Sequence, residues 1–300
     1  MRKGLRACFH CMPIWIQNFL GGIYGNLKIK KARRAFENCP KSSIYLKKSM
    51  LRELMESGYR EPGAIRYDSE GLELRAKEKI GQIKNRVPLR DCSSCLELGC
   101  HDGMVGVELA RLGKTAYGLD LDRESFDPRA LKEGVQFIHG DVARMPIEDR
   151  TMDLIYSFAA FEHFPDPDTA LSESWRVLKK GGYLYLLFGP VYTSPYGRHA
   201  YRQIPVPYCH YLFSEEDLRA YVLEKNMEVK WPYVNGVSVT DYRALWKKYQ
   251  DKFEAIYYKE HPTGGVGAEL IQRFPFCFKG RVPYFEDLFV SGIELVWRKK

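Results

Sequence analysis

Between Cys95 and Gly103 the chain reads Cys-Leu-Glu-Leu-Gly-Cys-His-Asp-Gly. A short apolar run enters a glycine turn and an amphipathic segment starts at once, so a strand should pass through a tight turn into a helix. Such a turn lets a ligand approach the backbone at the carboxyl end of a sheet, where open α/β folds bind their ligands. Glu97 stands two residues before the first glycine and can hold a cation there. A dinucleotide site would read G-x-G-x-x-G. Here Gly99, Gly103 and Gly106 are present, but His101 occupies the place of the middle glycine, and the match is poor.

Cysteines offer a second chemistry. Cys8-x-x-Cys11 and Cys92-x-x-Cys95 are both CxxC pairs, but some 80 residues separate them. A zinc ribbon needs about 15–20. Cys95 opens an apolar strand, where a thiol packs as a small hydrophobe, so no metal site is expected and the thiols should be reduced.

The elements that must position the glycine turn follow from pattern. From 92 to 189 short apolar runs alternate with amphipathic segments, which is how βαβ units and a parallel sheet read. Strands are expected at 95–98, 115–119, 135–139, 153–158 and 183–188, with helices at 104–112 and 168–178. Beyond a Pro-, Tyr- and Gly-rich loop to 213, a helix should span 214–225, with Ser214 as N-cap and Asp217 at the capping-box position. A strand near 228–234, an aromatic helical stretch at 240–260 and a final strand at 289–297 complete the expectation.

Composition narrows the class. The 300 residues are 45% hydrophobic and 28% charged, which excludes a disordered tail, a collagen-like chain and a coiled coil. No apolar run reaches the 18 residues of a spanning helix. The basic start lacks a cleavage site, so a cytoplasmic enzyme is expected. Thirteen Lys and Arg stand against three Asp and Glu through residue 60, and the rest of the chain is slightly acidic. That basic extension suits a solvated helix at 28–38, a nucleic-acid patch or contact with anionic lipid. In the lipid reading, apolar residues from Phe9 to Leu27 and the bases Lys28, Lys30, Lys31, Arg33 and Arg34 meet the inner membrane surface through residues 1–60. The competing reading is an N-terminal lid.

Five segments in order then carry a resemblance. Glu97-Leu98-Gly99-Cys100-His101-Asp102-Gly103 resembles motif I of class I S-adenosylmethionine-dependent methyltransferases of the type-11-like group. Gly118-Leu119-Asp120 ends the second strand, with its acid 23 residues after Glu97, and Gly140-Asp141-Val142 ends the third. Asp153 to Ser157 with Phe161-Glu162-His163-Phe164-Pro165-Asp166 resembles the fourth strand and its loop, and Val177 to Leu184 the turn into the fifth.

The resemblance implies an α/β, Rossmann-like three-layer sandwich with a mostly parallel sheet and an antiparallel last strand. An N-terminal extension at 1–65 would precede an S-adenosylmethionine-binding core at 66–189. An acceptor-binding helical and loop cap with the closing strands would fill 190–300. It also implies cofactor contacts from Glu97 (to the ammonium), Gly99, Cys100, His101 and Gly103, from Asp120 (to the ribose diol) with Leu121, from Asp141 and Val142 (to adenine), and from Phe158. His101 departs from the pattern, and its ring could contact the ligand or be a tolerated substitution.

Transfer to a hydroxyl also needs a proton acceptor near the attacking oxygen, for which His163, His199 and His210 are the candidates. The loop Gly189–His199, Ile204-Pro205, Leu212-Phe213-Ser214 and Asp287–Ile293 resemble methyltransferases of bacterial polysaccharide clusters, implying a glycan or other small-molecule hydroxyl. Two alternatives stay open. One is an RNA or protein methyltransferase using the basic N-terminus. Nucleic acid is disfavoured because Ser157-Phe158-Ala159-Ala160 replaces the family's Asn/Asp-Pro-Pro-aromatic tetrad. The other is a non-catalytic nucleotide-binding module.

Overall fold

The computed structural model describes residues 14–60, 62–63 and 68–300, with side chains from residue 26 onward. Among the described residues seven strands form one sheet: β1 (Ser94–Leu98), β2 (Thr115–Asp120), β3 (Gln136–His139), β4 (Met152–Phe158), β5 (Leu178–Phe188), β6 (Phe253–Pro262) and β7 (Val290–Lys299). Their order is β3-β2-β1-β4-β5-β7-β6. β1 to β5 run parallel, while β7 is antiparallel to β5. This is the expected Rossmann-like sheet. The strand order reverses between β1 and β4, and an open sheet forms its ligand crevice at that switch point.

Ten α-helices accompany the strands among the described residues. They are α1 (Ile14–Asn38), α2 (Lys48–Glu56), α3 (Ser69–Arg86), α4 (Met104–Arg111), α5 (Pro128–Lys132), α6 (Pro167–Val177), α7 (Cys209–Leu212), α8 (Glu215–Glu224), α9 (Val239–Lys248) and α10 (Ala268–Arg273). None is long and apolar enough to cross a membrane. Two compact units interleave along the chain. One comprises Met1–Arg60, Thr193–Trp231 and Pro262–Ser291, and the other Glu61–Tyr192, Pro232–His261 and Gly292–Lys300. The 66–189 core thus falls in the second unit, whereas 190–300 is divided between both.

In the second unit, Ala76, Ile80 and Ile83 of α3 and Val107 and Leu109 of α4 pack with Cys95, Leu154, Tyr156, Tyr185 and Val296 of the sheet. The spacing of the α3 residues puts them on one helical face. Asp68 caps α3 by accepting the N–H of Gly71 at 2.8 Å. At the amino ends of β1 and β4, Asp153 accepts the N–H groups of Ser93 and Ser94 (3.0 and 2.9 Å) and pairs with Lys179 at 2.8 Å. Burial opposes its charge, but these partners prevail and lower its pKa to about 2.

In the first unit, Ala32 and Phe36 of α1 are buried four residues apart, while Lys30, Lys31 and Arg34 are exposed. Lys28 pairs with Glu269 at 3.7 Å and Arg33 with Glu286 at 2.6 Å. The Tyr208 hydroxyl donates to the Leu288 carbonyl at 2.5 Å, and the Leu46 N–H to the Leu212 carbonyl at 2.8 Å. Ser214 caps α8 by accepting the Asp217 N–H at 3.1 Å, as its sequence predicts. Cys8, Cys11, Phe9 and the apolar side chains up to Tyr24, on which the lipid reading leans, lie outside the described residues.

Two expected elements differ. No strand forms at 228–234. There the Gln203 side chain donates to the Glu228 carbonyl (2.8 Å) and accepts the Lys230 N–H (2.9 Å), meeting the needs a neighbouring strand would meet, and Pro232 has no N–H to donate. The helix expected over 240–260 stops at Lys248, and Phe253–Pro262 is the outer strand β6. Its β-branched and aromatic residues (Ile256, Tyr257, Tyr258) favour a pleated, half-exposed strand.

Candidate functional site

At the switch point the glycine turn shapes the backbone. Gly99 and Gly103 adopt left-handed φ angles of 69° and 72°. A Cβ on Gly99 would lie 2.6 Å from the Ala160 Cβ, and one on Gly103 would lie 2.4 Å from the Phe126 ring. Only glycine meets both demands. His101 also takes a left-handed φ, 46°, in place of the missing middle glycine.

The turn opens onto a pocket of about 280 Å³. Glu97, Gly99, Cys100, His101 and Phe158, five of the residues expected at a cofactor, lie on its wall. The wall continues through Asp102, Met104, Val105 and Ala159, and through Leu72, Arg75, Ala76 and Lys79 of α3. Sequence reasoning missed the α3 contribution. Its only signal is the spacing of those four residues on one helix face just ahead of β1.

Glu97 is buried at the end of β1, in register with Gly118 of β2 and Tyr156 of β4. The Tyr156 hydroxyl donates to its Oε2 at 3.3 Å. Burial, then the charge of Asp102, push the Glu97 pKa well above the ordinary carboxylate range, against the pull of Tyr156, Arg75 and Lys79. Asp102 is handled differently. It accepts the Met104 N–H (2.9 Å), starting α4, and pairs with Arg75 at 2.5 Å. His101 Nδ1 lies 3.4 Å from the same carboxylate. Burial would raise the Asp102 pKa, but the His101, Met104 and Arg75 contacts lower it, and the His101 pKa rises mainly through that hydrogen bond.

Asp120 ends β2. Its Oδ2 accepts the His101 N–H at 2.9 Å and its Oδ1 the Asp122 N–H at 3.0 Å. A carboxylate has about four lone-pair sites, so about two remain for a ligand diol. Leu121 is 65% exposed. Asp141 is exposed and accepts the Ala143 N–H at 2.8 Å, and Val142 beside it is buried. Gly103, Asp120, Leu121, Asp141 and Val142 are not on the pocket wall; Asp120 closes β2, and the others follow the ends of β1, β2 and β3.

Just after β4, Glu162 and His163 sit in a short 3₁₀ turn, Phe161–His163. Glu162 is buried. Its Oε1 accepts the Gly189 N–H at 3.2 Å and lies 4.0 Å from His163 Nε2, and its Oε2 has no hydrogen-bond partner among the described residues. Burial pushes its pKa up to about 8. His163 Nδ1 lies 2.5 Å from the Tyr233 carbonyl, which can only accept, so Nδ1 carries the proton and Nε2 the lone pair of the neutral ring. Burial lowers the His163 pKa, with the Tyr233 carbonyl opposing. His199 and His210 belong to the other unit. His199 has a left-handed φ of 58°. His210 is buried with its ring 4.3 Å from that of Tyr211. Cys92 and Cys95 are buried free thiols whose pKa values burial raises to about 11 and about 12, so neither is a thiolate.

Residues 96–186 match the family described as "Methyltransferase domain". The chain is 25% identical over 140 residues to a sterol 4-C-methyltransferase of Caenorhabditis elegans, covering 44% of this chain and 42% of that protein. It is 34% identical over 88 residues to a Mycolicibacterium smegmatis protein named "Probable S-adenosylmethionine-dependent methyltransferase", covering 29% and 34%. It is 29% identical over 163 residues to a fatty-acid O-methyltransferase of the same bacterium, covering 51% and 58%. The matches thus span between a third and three-fifths of these relatives.

Proposed function

We propose, from the match of residues 96–186 to a methyltransferase domain and the likeness to a probable S-adenosylmethionine-dependent methyltransferase, that the protein moves a methyl group from S-adenosylmethionine to a hydroxyl of a sugar or other small molecule. The observation that carries this reading is the arrangement at the switch point. A buried carboxyl stands at the end of β1, a carboxylate with open lone pairs at the end of β2, and a glycine turn between them. That donor set fits the cofactor's ammonium and ribose diol. When bound, the cofactor supplies an activated methyl on a positively charged sulfur. The chain supplies placement, which can lower such a barrier by several kcal/mol.

For the acceptor, His163 Nε2 is the basic atom of a neutral imidazole at the carboxyl end of the sheet, suited to take a hydroxyl proton. Ser157-Phe158-Ala159-Ala160 lacks the tetrad that resembling enzymes use for planar nitrogens, which favours oxygen. Two of the relatives are named for small-molecule acceptors, a sterol carbon and a fatty-acid oxygen. A labelled-methyl screen across sugars, fatty acids, sterols, tRNA and peptide tests the reading. Incorporation into a sugar or another small-molecule hydroxyl is expected. Labelling of tRNA or peptide alone would overturn the acceptor class, and calorimetric preference for NAD over S-adenosylmethionine would overturn the cofactor.

A further inference from the structure

The pocket holds four charged side chains besides His101, and three of them have evident work. Arg75 is tied to Asp102, and Asp102 starts α4. Glu97 faces Tyr156. The fourth, Lys79, is half-buried on the wall and makes no hydrogen bond or ion pair among the described residues. Its ammonium instead sits 4.6 Å from the centroid of the Phe158 ring. Withdrawing an ammonium from water without an anion costs free energy, and burial accordingly lowers the Lys79 pKa, with Glu97 opposing. The helix could have carried this lysine on its solvent face at no such cost.

An amino-acid zwitterion explains the pair. Its ammonium and carboxylate share one carbon, so a site that receives both needs an anion and a cation on neighbouring walls. Glu97 is the anion, and of the two α3 cations on the pocket wall, Arg75 and Lys79, only Lys79 makes no ion pair among the described residues. We infer that Lys79 binds the carboxylate of the cofactor's amino-acid end, with the Phe158 face holding the ammonium in place beneath it. This assignment rests on the S-adenosylmethionine reading above and adds a specificity contact that the glycine motif does not contain. It makes α3, which precedes the matched domain, part of the cofactor site.

Calorimetry with two ligands tests it: S-adenosylmethionine, and its decarboxylated analogue, which keeps the amine and lacks only the carboxylate. In Lys79→Met, affinity for S-adenosylmethionine should fall about 10- to 100-fold, the range of a charged hydrogen bond. Affinity for the analogue should hold within about twofold, as a mutant cycle requires when the contact is absent. Lys79→Arg should recover most of the loss. Unchanged S-adenosylmethionine affinity in Lys79→Met overturns the assignment. So does an equal loss for both ligands in Lys79→Met and Lys79→Gln, which marks a structural role. Wild-type protein that binds neither ligand removes the cofactor reading itself, and this inference with it.

Discussion

Two buried glutamates stand near the ends of adjacent strands, Glu97 in β1 and Glu162 just past β4, and burial raises the pKa of both. Their surroundings differ. Glu97 opens on a pocket whose wall carries Arg75 and Lys79. Glu162 meets one backbone N–H and has the His163 ring at 4.0 Å, and its other oxygen has no hydrogen-bond partner among the described residues. The same side chain under the same desolvation therefore has two fates. On the reading proposed above, Glu97 gains a positive charge from the ligand, whereas Glu162, its pKa raised to about 8, faces the His163 ring, whose own cationic form burial disfavours. Burial alone does not define a binding carboxylate. What matters is whether a counter-charge can reach it.

The largest effect expected is in the region after β4. His163→Ala should retain cofactor affinity and lose about 10²–10⁴-fold in turnover, measured by single-turnover methyl transfer. Near-normal turnover there would move the proton acceptor to His199 or His210, and the same measurement on their alanine variants would show which.

On the β1–β2 side the comparison predicts binding defects instead. Asp120→Ala should weaken S-adenosylmethionine on the order of 100-fold, from two hydrogen bonds to a charged acceptor at about 1.5–3 kcal/mol each, less what water recovers. Circular dichroism should show the fold intact. Wild-type affinity in the folded variant would take Asp120 out of the site.

Glu97 sharpens the contrast through pH. Burial favours the protonated form of Glu97 in the free protein and an arriving ammonium favours the ionised form, so binding should be accompanied by proton release. Affinity should therefore rise with pH, by up to about tenfold per unit, until free Glu97 itself ionises. Glu97→Gln should flatten that slope. A flat profile in the wild type would mean that Glu97 does not pair with the ammonium.

The smallest effect is on stability and belongs to Glu162. Its folded pKa of about 8 lies above the unfolded value of 4.5. Between those values the folded state binds the extra proton, so stability is retained below the window and falls as pH rises through it, by at most about 1.4 kcal/mol per unit. Melting temperatures of Glu162→Gln should decline less between pH 5 and pH 8 (roughly the limits of the window) than those of the wild type. Parallel curves would show that the Glu162 carboxyl is not held protonated.

These regions were not equally legible. The turn after β1 can be read from sequence because glycine and acid at fixed spacing answer a local demand, seen in the left-handed Gly99 and Gly103. The sheet was legible for a similar reason, since apolar runs such as β4 announce strands covered on both faces. The wall formed by α3 was not. Leu72, Arg75, Ala76 and Lys79 read as any amphipathic helix, and only the fold shows that Lys79 makes no ion pair among the described residues. His101 was ambiguous as a letter and becomes clear as geometry: its backbone N–H serves Asp120 and its ring approaches Asp102. The segments 228–234 and 240–260 were misread because their outcome depends on partners far away in the chain, Gln203 for the first and the strand neighbours of β6 for the second.

The antiparallel strand has a consequence for synthesis on the ribosome. Leu186 of β5 pairs with Leu295 of β7, 109 residues later. At about 5–20 residues per second, the β5 edge waits roughly 5–20 s for its neighbour to be made. During that interval Leu184, Tyr185, Leu186, Leu187 and Phe188 present an unpaired apolar edge, the kind of template on which nascent chains stick to one another. The parallel half of the sheet can assemble as it emerges, but its exposed flank makes the yield of folded protein depend on what shields β5 until Val290–Lys299 arrives.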